Sequence, residues 1–393
     1  MNPAILHTDV QAFVDANLHT DINRIILSKS PFAEVSSREL AEQIDSKRRC
    51  DKKLPLWFST HGIYYPPKLS IEQASSETTS QFKSTLAKGN TLLDLTGGFG
   101  VDSIYFAKAG IQVLHAEINA DLSDIAKSNA RVLQVENIDF YRGNGLDVVQ
   151  QGKSFDTIFV DPSRRVNTQK VFKLKDCEPD IPQNLNLLLA STSRLIVKTS
   201  PLLDLQAGIL ELGHVSKIYI LSIKNDCKEL LWVLDANNGN SDPEIICHIY
   251  DGTEQEYRFR ISDERSLLLN QFAEPQKFLY EPDVTLLKAG CFKLITRDFN
   301  IHKLSQNSHL YTSKTLNKSF TGRKFIIHHW DDYKSFMKNN TLHKANIISR
   351  NFPLSPVEIK KKHRLKDGGD DFLIFTTGQD GQLLTIHARK IAP

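Results

Sequence analysis

The stretch that decides the fold is residues 91–108, TLLDLTGGFGVDSIYFAK. A short apolar run, TLLDL, leads directly into the glycine-rich turn Thr96–Gly100, and the apolar spacing after the turn is typical of a helix. Glycines at such a point allow a tight turn and let a ligand approach the backbone closely. The stretch therefore predicts the first strand and first helix of an α/β unit, with a ligand site where they join.

Strands and helices alternate through the region that follows. The predicted strands are IQVLHAE, IDFYRGN, FDTIFVD, RLIVKTS, VSKIYILSI and ELLWVLD, and the predicted helices include ADLSDIAKSNARVLQV and LNLLLASTS. This alternation predicts an α/β fold class, with a parallel sheet covered by helices on both faces.

Polar residues follow four consecutive predicted strands. Asp94 ends the first, Glu117 the second, Asn144 with Gly145 the third, and Asp161 the fourth. Because the carboxyl ends of parallel strands share one edge of the sheet, these side chains should surround one ligand. Each of them alone has an ordinary explanation in turns or solvation, but the set predicts a nucleotide-like cofactor.

Two cofactor classes fit this pattern, a dinucleotide and S-adenosylmethionine. The loop is not G-x-G-x-x-G, which weakens the dinucleotide interpretation. Asp94 would repel a pyrophosphate but attract the methionine amine and the sulfonium, and Glu117 can accept hydrogen bonds from both ribose hydroxyls. We therefore predict S-adenosylmethionine as the cofactor. The predicted cofactor-binding residues are Asp94, Thr96, Gly97, Gly98, Phe99, Gly100, Asp102, Glu117, Asn144 and Gly145.

The fourth strand ends in FVDPSRR, residues 159–165. Asp161 is the predicted catalytic residue, which would orient the methyl acceptor and take its proton. Ser163, Arg164 and Arg165 are predicted to bind the substrate, the arginines by gripping phosphate. The alternative for the two arginines is ion pairing with acids such as Asp176 or Glu178.

Charge is distributed unevenly along the 393 residues. Residues 271–393 carry 20 Lys and Arg against 11 Asp and Glu, whereas the rest of the chain is mildly acidic and the net charge is +3. A basic C-terminal third favours an anionic partner such as nucleic acid, or else serves only as a solubilising surface. The five cysteines lie far apart, no metal-ligand spacing is present and no long apolar run occurs. We therefore expect a cytoplasmic protein without a metal and without a membrane partner.

Two helix starts are predicted from capping boxes. Ser70 with Gln73, and Ser355 with Glu358, each match the spacing of such a box. The second helix is strongly basic and is predicted to end at Gly368–Gly369.

Several stretches together resemble a known bacterial family. They are LPLWF, YYPPKLSIEQASSE, LLDLTGGFGVDSIYFA, VDPSRR, NDCKELLWVL, YEPDVTLLKAG, NSHLYTS and NFPLSPVEIKKKHRLKDGGDDFLIFTT. The chain is similar to class I S-adenosylmethionine-dependent methyltransferases that carry a helical N-terminal segment and a C-terminal THUMP-like domain. The resemblance implies a Rossmann-like seven-stranded methyltransferase sheet and a C-terminal α+β, ferredoxin-like and THUMP-like part.

The resemblance also implies a domain order. A helical N-terminal domain would span 1–75, the methyltransferase domain 76–240, a hairpin connection 241–273, a small ferredoxin-like segment 274–318 and the THUMP-like domain 319–393. THUMP domains bind RNA, so RNA is the expected partner by analogy. In amine-directed relatives the fourth strand ends in [DN]-P-P-[FYW]; here Ser163 and Arg164 replace the second proline and the aromatic residue.

Three functions remain open at this point. The chain is expected to methylate a base of ribosomal or transfer RNA; the alternatives are a protein or small-molecule methyltransferase and an RNA-binding protein with an inactive methyltransferase domain. A cysteine nucleophile is disfavoured because Cys177 and Cys227 lack a preceding proline.

Overall fold

The structure is a computed structural model and describes residues 1–164, 173–236, 242–268 and 272–392. Contacts divide the chain into two units. The first comprises Met1–Ser216 and Leu231–Ser241, and the second comprises Lys217–Leu230 and Asp242–Pro393. The hairpin strands β8 (Val215–Ile223) and β9 (Asp226–Asp235) contribute residues to both.

A parallel sheet lies at the centre of the first unit, with neighbouring strands in the order β7-β4-β1-β2-β3. Its strands are β1 (Thr91–Asp94), β2 (Gln112–Glu117), β3 (Ile138–Arg142), β4 (Phe155–Val160) and β7 (Thr192–Thr199). The short strands β5 (Ser163–Arg164) and β6 (Cys177–Glu178) form a separate antiparallel pair.

Helices surround this sheet and precede it. They are α1 (Thr8–Ala16), α2 (Ile22–Leu27), α3 (Ser37–Lys53), α4 (Pro55–Ser59), α5 (Lys68–Gln73), α6 (Glu77–Ser84), α7 (Val101–Lys108), α8 (Ala120–Val132), α9 (Gly145–Gln150), α10 (Ile181–Ala190) and α11 (Leu205–Leu212). The central strands are apolar in succession, as Leu92, Leu93 and Ile158–Val160 illustrate with at most 1% exposure. Both faces of these strands are therefore covered, as is usual for parallel sheets.

The helical segment at the N-terminus packs on the same unit. Tyr64 and Asn129 exchange two hydrogen bonds of 2.9 Å, backbone to carboxamide, which fix the segment to α8. The predicted capping box at Ser70 is wrong, because Ser70 lies inside α5 and the helix begins after Pro67. Instead Ser76 accepts a hydrogen bond from the Thr79 backbone and caps α6.

The second unit contains an α+β arrangement with a seven-stranded sheet, in the order β13-β14-β12-β15-β18-β17-β16. Its elements are β10 (Glu244–Tyr250), β11 (Glu254–Arg260), α12 (Ile261–Ser266), β12 (Phe278–Pro282), α13 (Val284–Ala289), α14 (Phe292–Phe299), β13 (His302–Lys303), β14 (Tyr311–Ser313), β15 (Gly322–Asp332), α15 (Tyr333–Asn339), β16 (Asn346–Arg350), α16 (Pro356–His363), β17 (Asp371–Thr377) and β18 (Leu383–Lys390). The hairpin β10–β11 is antiparallel, and β10 runs parallel to β8.

Helix α16 shows the second predicted capping box. The Ser355 hydroxyl accepts a hydrogen bond from the Glu358 backbone, and the Glu358 carboxylate accepts one from the Ser355 backbone. The predicted end at Gly368–Gly369 is wrong, because the helix ends at His363 and Arg364 takes the left-handed conformation at φ 55°. The Arg364 and Leu365 segment then turns back so that Leu365 packs into the core of this unit.

The predicted fold class is confirmed, since an α/β unit with a parallel sheet precedes an α+β unit. Among the helices of the described residues, none is long and apolar enough to cross a membrane. The division into five domains remains a prediction.

Candidate active site

The carboxyl ends of β4, β1, β2 and β3 bring the predicted residues to one edge of the parallel sheet. Asp94 is in register with Phe159 on one side and with His115 on the other. Glu117 ends β2, and Asn144 is the N-cap of α9, two residues after β3. Asp161 follows Val160 directly after β4. The four predicted strand ends are therefore neighbours.

Asp161 is held from two sides. Its backbone N–H donates to the Thr96 hydroxyl at 2.8 Å, which ties it to the glycine turn. One carboxylate oxygen, Oδ2, accepts a charge-assisted hydrogen bond from Lys198 at 2.5 Å, while the Asp161 side chain stays 32% exposed. Since a carboxylate has about four lone-pair positions, Asp161 can still accept a hydrogen bond from a substrate.

Sequence reasoning missed Lys198. The register of β4 and β7 pairs Val160 with Val197, so the next residues, Asp161 and Lys198, lie side by side at the same edge. A lysine closing the apolar strand RLIVKTS was the available signal. Lys198 therefore extends the series of polar strand ends from four to five.

The glycine turn is anchored to the neighbouring strand end. The Gly97 N–H donates to the Ala116 carbonyl at 2.7 Å, and the Gly98 N–H donates to the Glu117 carboxylate at 2.7 Å. Gly98 and Gly100 have φ values of +52° and +85°, which favour glycine at both positions. The turn and the Glu117 carboxylate therefore form one rigid group.

Close packing explains two other glycines of the predicted set. A Cβ on Gly97 would lie 2.3 Å from the His115 ring, and one on Gly145 would lie 2.6 Å from the Leu95 carbonyl oxygen. A Cβ on Gly98, by contrast, would meet its nearest atom at 3.9 Å. Gly97 and Gly145 are thus needed for packing, whereas Gly98 faces open space where a ligand can approach.

His115 is a second residue that sequence reasoning did not identify. It is fully buried under the glycine turn, and its Nε2 lies 3.3 Å from the Gly98 carbonyl oxygen. Burial lowers the pKa of His115 to about 4, so the ring is neutral at physiological pH. Its role in this geometry is to support the turn.

Glu117 and Asn144 both keep capacity for a ligand. The Glu117 carboxylate accepts from the backbones of Gly98 and Asn119, each at 2.7 Å, which leaves further lone-pair positions for two hydroxyls. The Asn144 carboxamide oxygen caps α9 by accepting from Leu146 at 3.0 Å, and its NH₂ group can still donate.

Asp94 is buried inside the turn, with 1% exposure. Its carboxylate accepts from the Thr96 backbone at 3.3 Å and from the Ser103 hydroxyl at 2.5 Å. Burial raises the pKa of Asp94 to about 7, and the hydrogen bond from Ser103 opposes this rise. Asp94 therefore shapes the turn, and its contact with a cofactor amine stays a prediction.

Asp102 and Phe99 lie in packed surroundings. The Asp102 carboxylate accepts from the hydroxyls of Ser75 at 2.8 Å and Ser80 at 2.6 Å and pairs with buried Lys83 at 3.0 Å. Although burial alone would raise the pKa of Asp102, the Lys83 and Lys198 charges lower it overall. Phe99 is 3% exposed and its ring centroid lies 6.4 Å from that of Trp57. Both residues thus join the N-terminal helices to the sheet.

The predicted substrate residues fall at the edge of the described chain. Ser163 is exposed and lies opposite Glu178 in the β5–β6 pair, and the Arg164 backbone lies opposite Cys177. Arg165 lies outside the described residues. The substrate contacts of these three residues stay predictions.

No group of three His, Cys, Asp or Glu side chains that could hold a metal occurs among residues 1–164, 173–236, 242–268 and 272–392. Burial raises the pKa of Cys227 to about 11, so this thiol is protonated at neutral pH and is a poor nucleophile.

The residues at this sheet edge fit S-adenosylmethionine. Glu117 retains acceptor positions for a ribose diol, Asn144 retains donors for an adenine edge, and the open side of Gly98 allows close backbone approach. Asp161 supplies a carboxylate at the neighbouring strand end.

Family models match the second unit. A ferredoxin-like domain matches residues 278–320, and a THUMP domain-like model matches residues 329–390.

Curated relatives match a part of the chain. A 23S rRNA (uracil(747)-C(5))-methyltransferase from Pyrococcus abyssi is 31% identical over 117 residues, which are 29% of this chain and 26% of that protein. A tRNA (uracil(54)-C(5))-methyltransferase from Pyrococcus horikoshii is 31% identical over 99 residues, which are 25% of this chain and 24% of that protein. The chain therefore spans about a quarter of the length of these curated relatives.

One solved structure matches almost the whole chain. It is a crystal structure of a protein from Porphyromonas gingivalis W83 assigned as a methyltransferase, with a TM-score of 0.88, 31% identity, and 98% of each chain covered. With the strand-end residues, the THUMP domain-like match and this full-length relative together, the chain belongs to the family of class I S-adenosylmethionine-dependent methyltransferases with a C-terminal THUMP-like domain.

Proposed function

We propose that the protein transfers a methyl group from S-adenosylmethionine to a base of ribosomal or transfer RNA. The observation that carries this proposal is the position of Asp161, which is fixed between Thr96 and Lys198 beside the predicted cofactor-binding edge. A partly exposed carboxylate at this place can hold a polar group of a base beside a bound cofactor.

The names of the curated relatives support RNA as the substrate. Both relatives described above are named as methyltransferases of RNA uracil, and they match this chain over 117 and 99 residues. A protein or a small molecule would leave the THUMP domain-like match and the basic C-terminal third without a role.

Bound S-adenosylmethionine supplies an electrophilic methyl group on its sulfonium sulfur. Glu117 would accept hydrogen bonds from the ribose hydroxyls, and Asn144 would contact the adenine edge. Asp161 would orient the acceptor and receive its proton, while Lys198 holds the carboxylate in place. Most of the rate enhancement would come from positioning.

The second unit would bind the RNA. Exposed cations follow one another along α16 and the segment after it: Lys361, Lys362, Arg364 and Lys366. Such a surface neutralises phosphates and makes binding depend on salt. We include in the proposal the domain order 1–75, 76–240, 241–273, 274–318 and 319–393, with the THUMP-like part as the RNA-binding module.

The test uses purified protein, tritiated cofactor and total RNA from a strain that lacks the gene. We expect tritium in a single RNA species, which RNase removes and which a protease leaves. The Asp161→Asn variant should bind S-adenosylhomocysteine in calorimetry with an affinity within about twofold of the wild type, yet label RNA at most at ~1% of the wild-type rate.

Two outcomes would contradict the proposal. Label found only in protein would reassign the substrate. Failure of the wild type to bind S-adenosylhomocysteine in calorimetry would overturn the cofactor assignment itself.

A further inference from the structure

Two arginines converge on one buried carboxylate in the second unit. Glu281 on β12 is 1% exposed, and it pairs with Arg323 on β15 and with Arg350 at the end of β16. We call Arg323 and Arg350 the arginine pair on Glu281. Glu281 lies within the ferredoxin-like match, Arg350 lies within the THUMP domain-like match, and Arg323 lies between the two matches.

The local geometry follows from strand pairing. Glu281 and Arg323 are direct cross-strand partners in the β12–β15 register. Arg350 reaches the same carboxylate with two atoms, Nε at 2.9 Å and Nη2 at 2.7 Å from Oε1. The carboxylate thus fixes the plane of the Arg350 guanidinium group and pairs with one nitrogen of Arg323.

The charges in this group do not balance. One arginine is sufficient to neutralise one buried carboxylate, so the second leaves a net charge of +1. Glu281 offsets the repulsion between the two guanidinium groups, and the remaining positive charge would be stabilised by a bound anion.

Both arginine side chains are partly exposed. The Arg350 side chain is 38% exposed and the Arg323 side chain is 30% exposed, whereas Glu281 lies beneath them. Arg350 uses two of its five donors on Glu281, and Arg323 pairs with Glu281 through Nη2. The Arg323 Nε is buried, so the donors left for a ligand on Arg323 are those of its two Nη atoms. Donors therefore remain for a ligand, and arginine forks match the oxygen geometry of phosphate.

Neighbouring ionisable groups add little to this positive charge. Lys303 is buried with 3% exposure, and its Nζ donates to the Gln306 carbonyl. Burial, together with the charges of Lys303 and Arg350, lowers the pKa of His309 to about 4, so His309 adds no charge at neutral pH. The carboxylate of Glu264 faces Lys303 and offsets part of that lysine's charge.

We infer that Arg323 and Arg350, oriented by Glu281, bind a backbone phosphate of the RNA substrate. This inference rests on the proposed function and adds a defined contact to it. The α16 cations would attract RNA over a distance, whereas the arginine pair would fix one phosphate in position.

The test measures binding of a fluorescein-labelled 12-nucleotide single-stranded RNA to the full chain by fluorescence anisotropy at several salt concentrations. We expect Arg350→Gln and Arg323→Gln each to weaken binding about 5- to 10-fold. Loss of one phosphate contact should also reduce the slope of log affinity against log salt by about 0.7. Arg350→Lys keeps the charge without the planar fork and should fall between the wild type and Arg350→Gln.

Arg258 provides the matched control. It is an exposed, ion-paired arginine of the same unit that contacts Glu256, and Arg258→Gln should leave RNA affinity within twofold of the wild type. Thermal unfolding of every variant reports the folded fraction.

Several results would overturn the inference. Arg350→Gln and Arg323→Gln variants that both bind RNA like the wild type would do so. If Arg350→Gln does not fold, an Arg350→Lys variant that folds and binds like the wild type has the same consequence. A wild type that methylates RNA together with unchanged arginine variants removes this inference alone, whereas a wild type that labels no RNA removes the proposed function.

A competition experiment separates RNA from free phosphate as the source of the anion. Unlabelled RNA should displace the labelled oligonucleotide, whereas inorganic phosphate at the same concentration of phosphate groups should leave it bound. Equal displacement by both would assign the site to free phosphate and overturn the RNA assignment.

Discussion

Gly97→Ala tests how the glycine turn is held under the candidate active site. A methyl group at this position would lie 2.3 Å from Nε2 and 2.4 Å from Cδ2 of the His115 ring. Ordinary contacts of this kind are 3.4–4 Å, so the overlap exceeds 1 Å. His115 is fully buried, and its ring has little space into which it can move.

The expected cost follows from this overlap. Overpacking of a buried site typically costs about 1–3 kcal/mol, and an overlap of this size with a buried ring belongs at the upper end, about 3 kcal/mol. Gly98→Ala is the matched control in the same turn. It meets no atom closer than 3.9 Å, and its φ of +52° should cost about 1 kcal/mol.

The assay is urea unfolding followed by tryptophan fluorescence. Trp57 and Trp232 are fully buried in the first unit and report its unfolding. We expect the free energy of unfolding to fall by about 2 kcal/mol more in Gly97→Ala than in Gly98→Ala. In a His115→Ala background the clash is removed, so adding Gly97→Ala should cost less than about 1 kcal/mol, a coupling of about 2 kcal/mol between the two sites.

Two results would refute this reasoning. The first is a Gly97→Ala variant that loses no more stability than Gly98→Ala. The second is an equal cost of Gly97→Ala with and without His115, which would show that the ring does not set the requirement for glycine.

Three further predictions concern the same sheet edge. Because the pKa of Asp94 is about 7 in the folded protein and about 4 in the unfolded chain, its contribution to stability is complete below pH 4 and is lost as pH rises towards 7. Asp94→Asn should therefore gain stability relative to the wild type as pH rises from about 4 to about 7 in urea unfolding, and a constant difference over this range would contradict the assignment. Glu117→Ala should weaken S-adenosylhomocysteine binding in calorimetry about 10- to 100-fold, and unchanged affinity would remove its ribose role. Lys198→Met should lower the rate of RNA labelling about 100-fold through misplacement of Asp161 while S-adenosylhomocysteine affinity stays within twofold, and an equal loss of both would mean that Lys198 only stabilises the fold.

Local patterns in the sequence were sufficient to predict many of the strands and helices and part of the candidate active site. The run TLLDL followed by TGGFG correctly indicated strand β1, the turn and helix α7, because apolar succession and glycine are local properties of the chain. The capping box at Ser355 was confirmed for the same reason. Ser70 was misleading, because its spacing to Gln73 matches the pattern while Pro67 already determines where the helix begins.

The roles of individual glycines and acids required tertiary contacts. Glycine is required at position 97 because the His115 ring, from the neighbouring strand 18 residues later in the sequence, leaves no room for a side chain. The Asp102 carboxylate is bound by Lys83 and by two serines from the preceding helical region. Neither relation has a short-range signal.

The sequence by itself determined the α/β class, the series of polar strand ends and the uneven distribution of charge, since each depends on neighbouring residues or on composition. Only the tertiary structure placed Lys198 beside Asp161 and both Arg323 and Arg350 on Glu281. Strand register and strand order decide which distant charges meet, and both depend on how the whole unit packs.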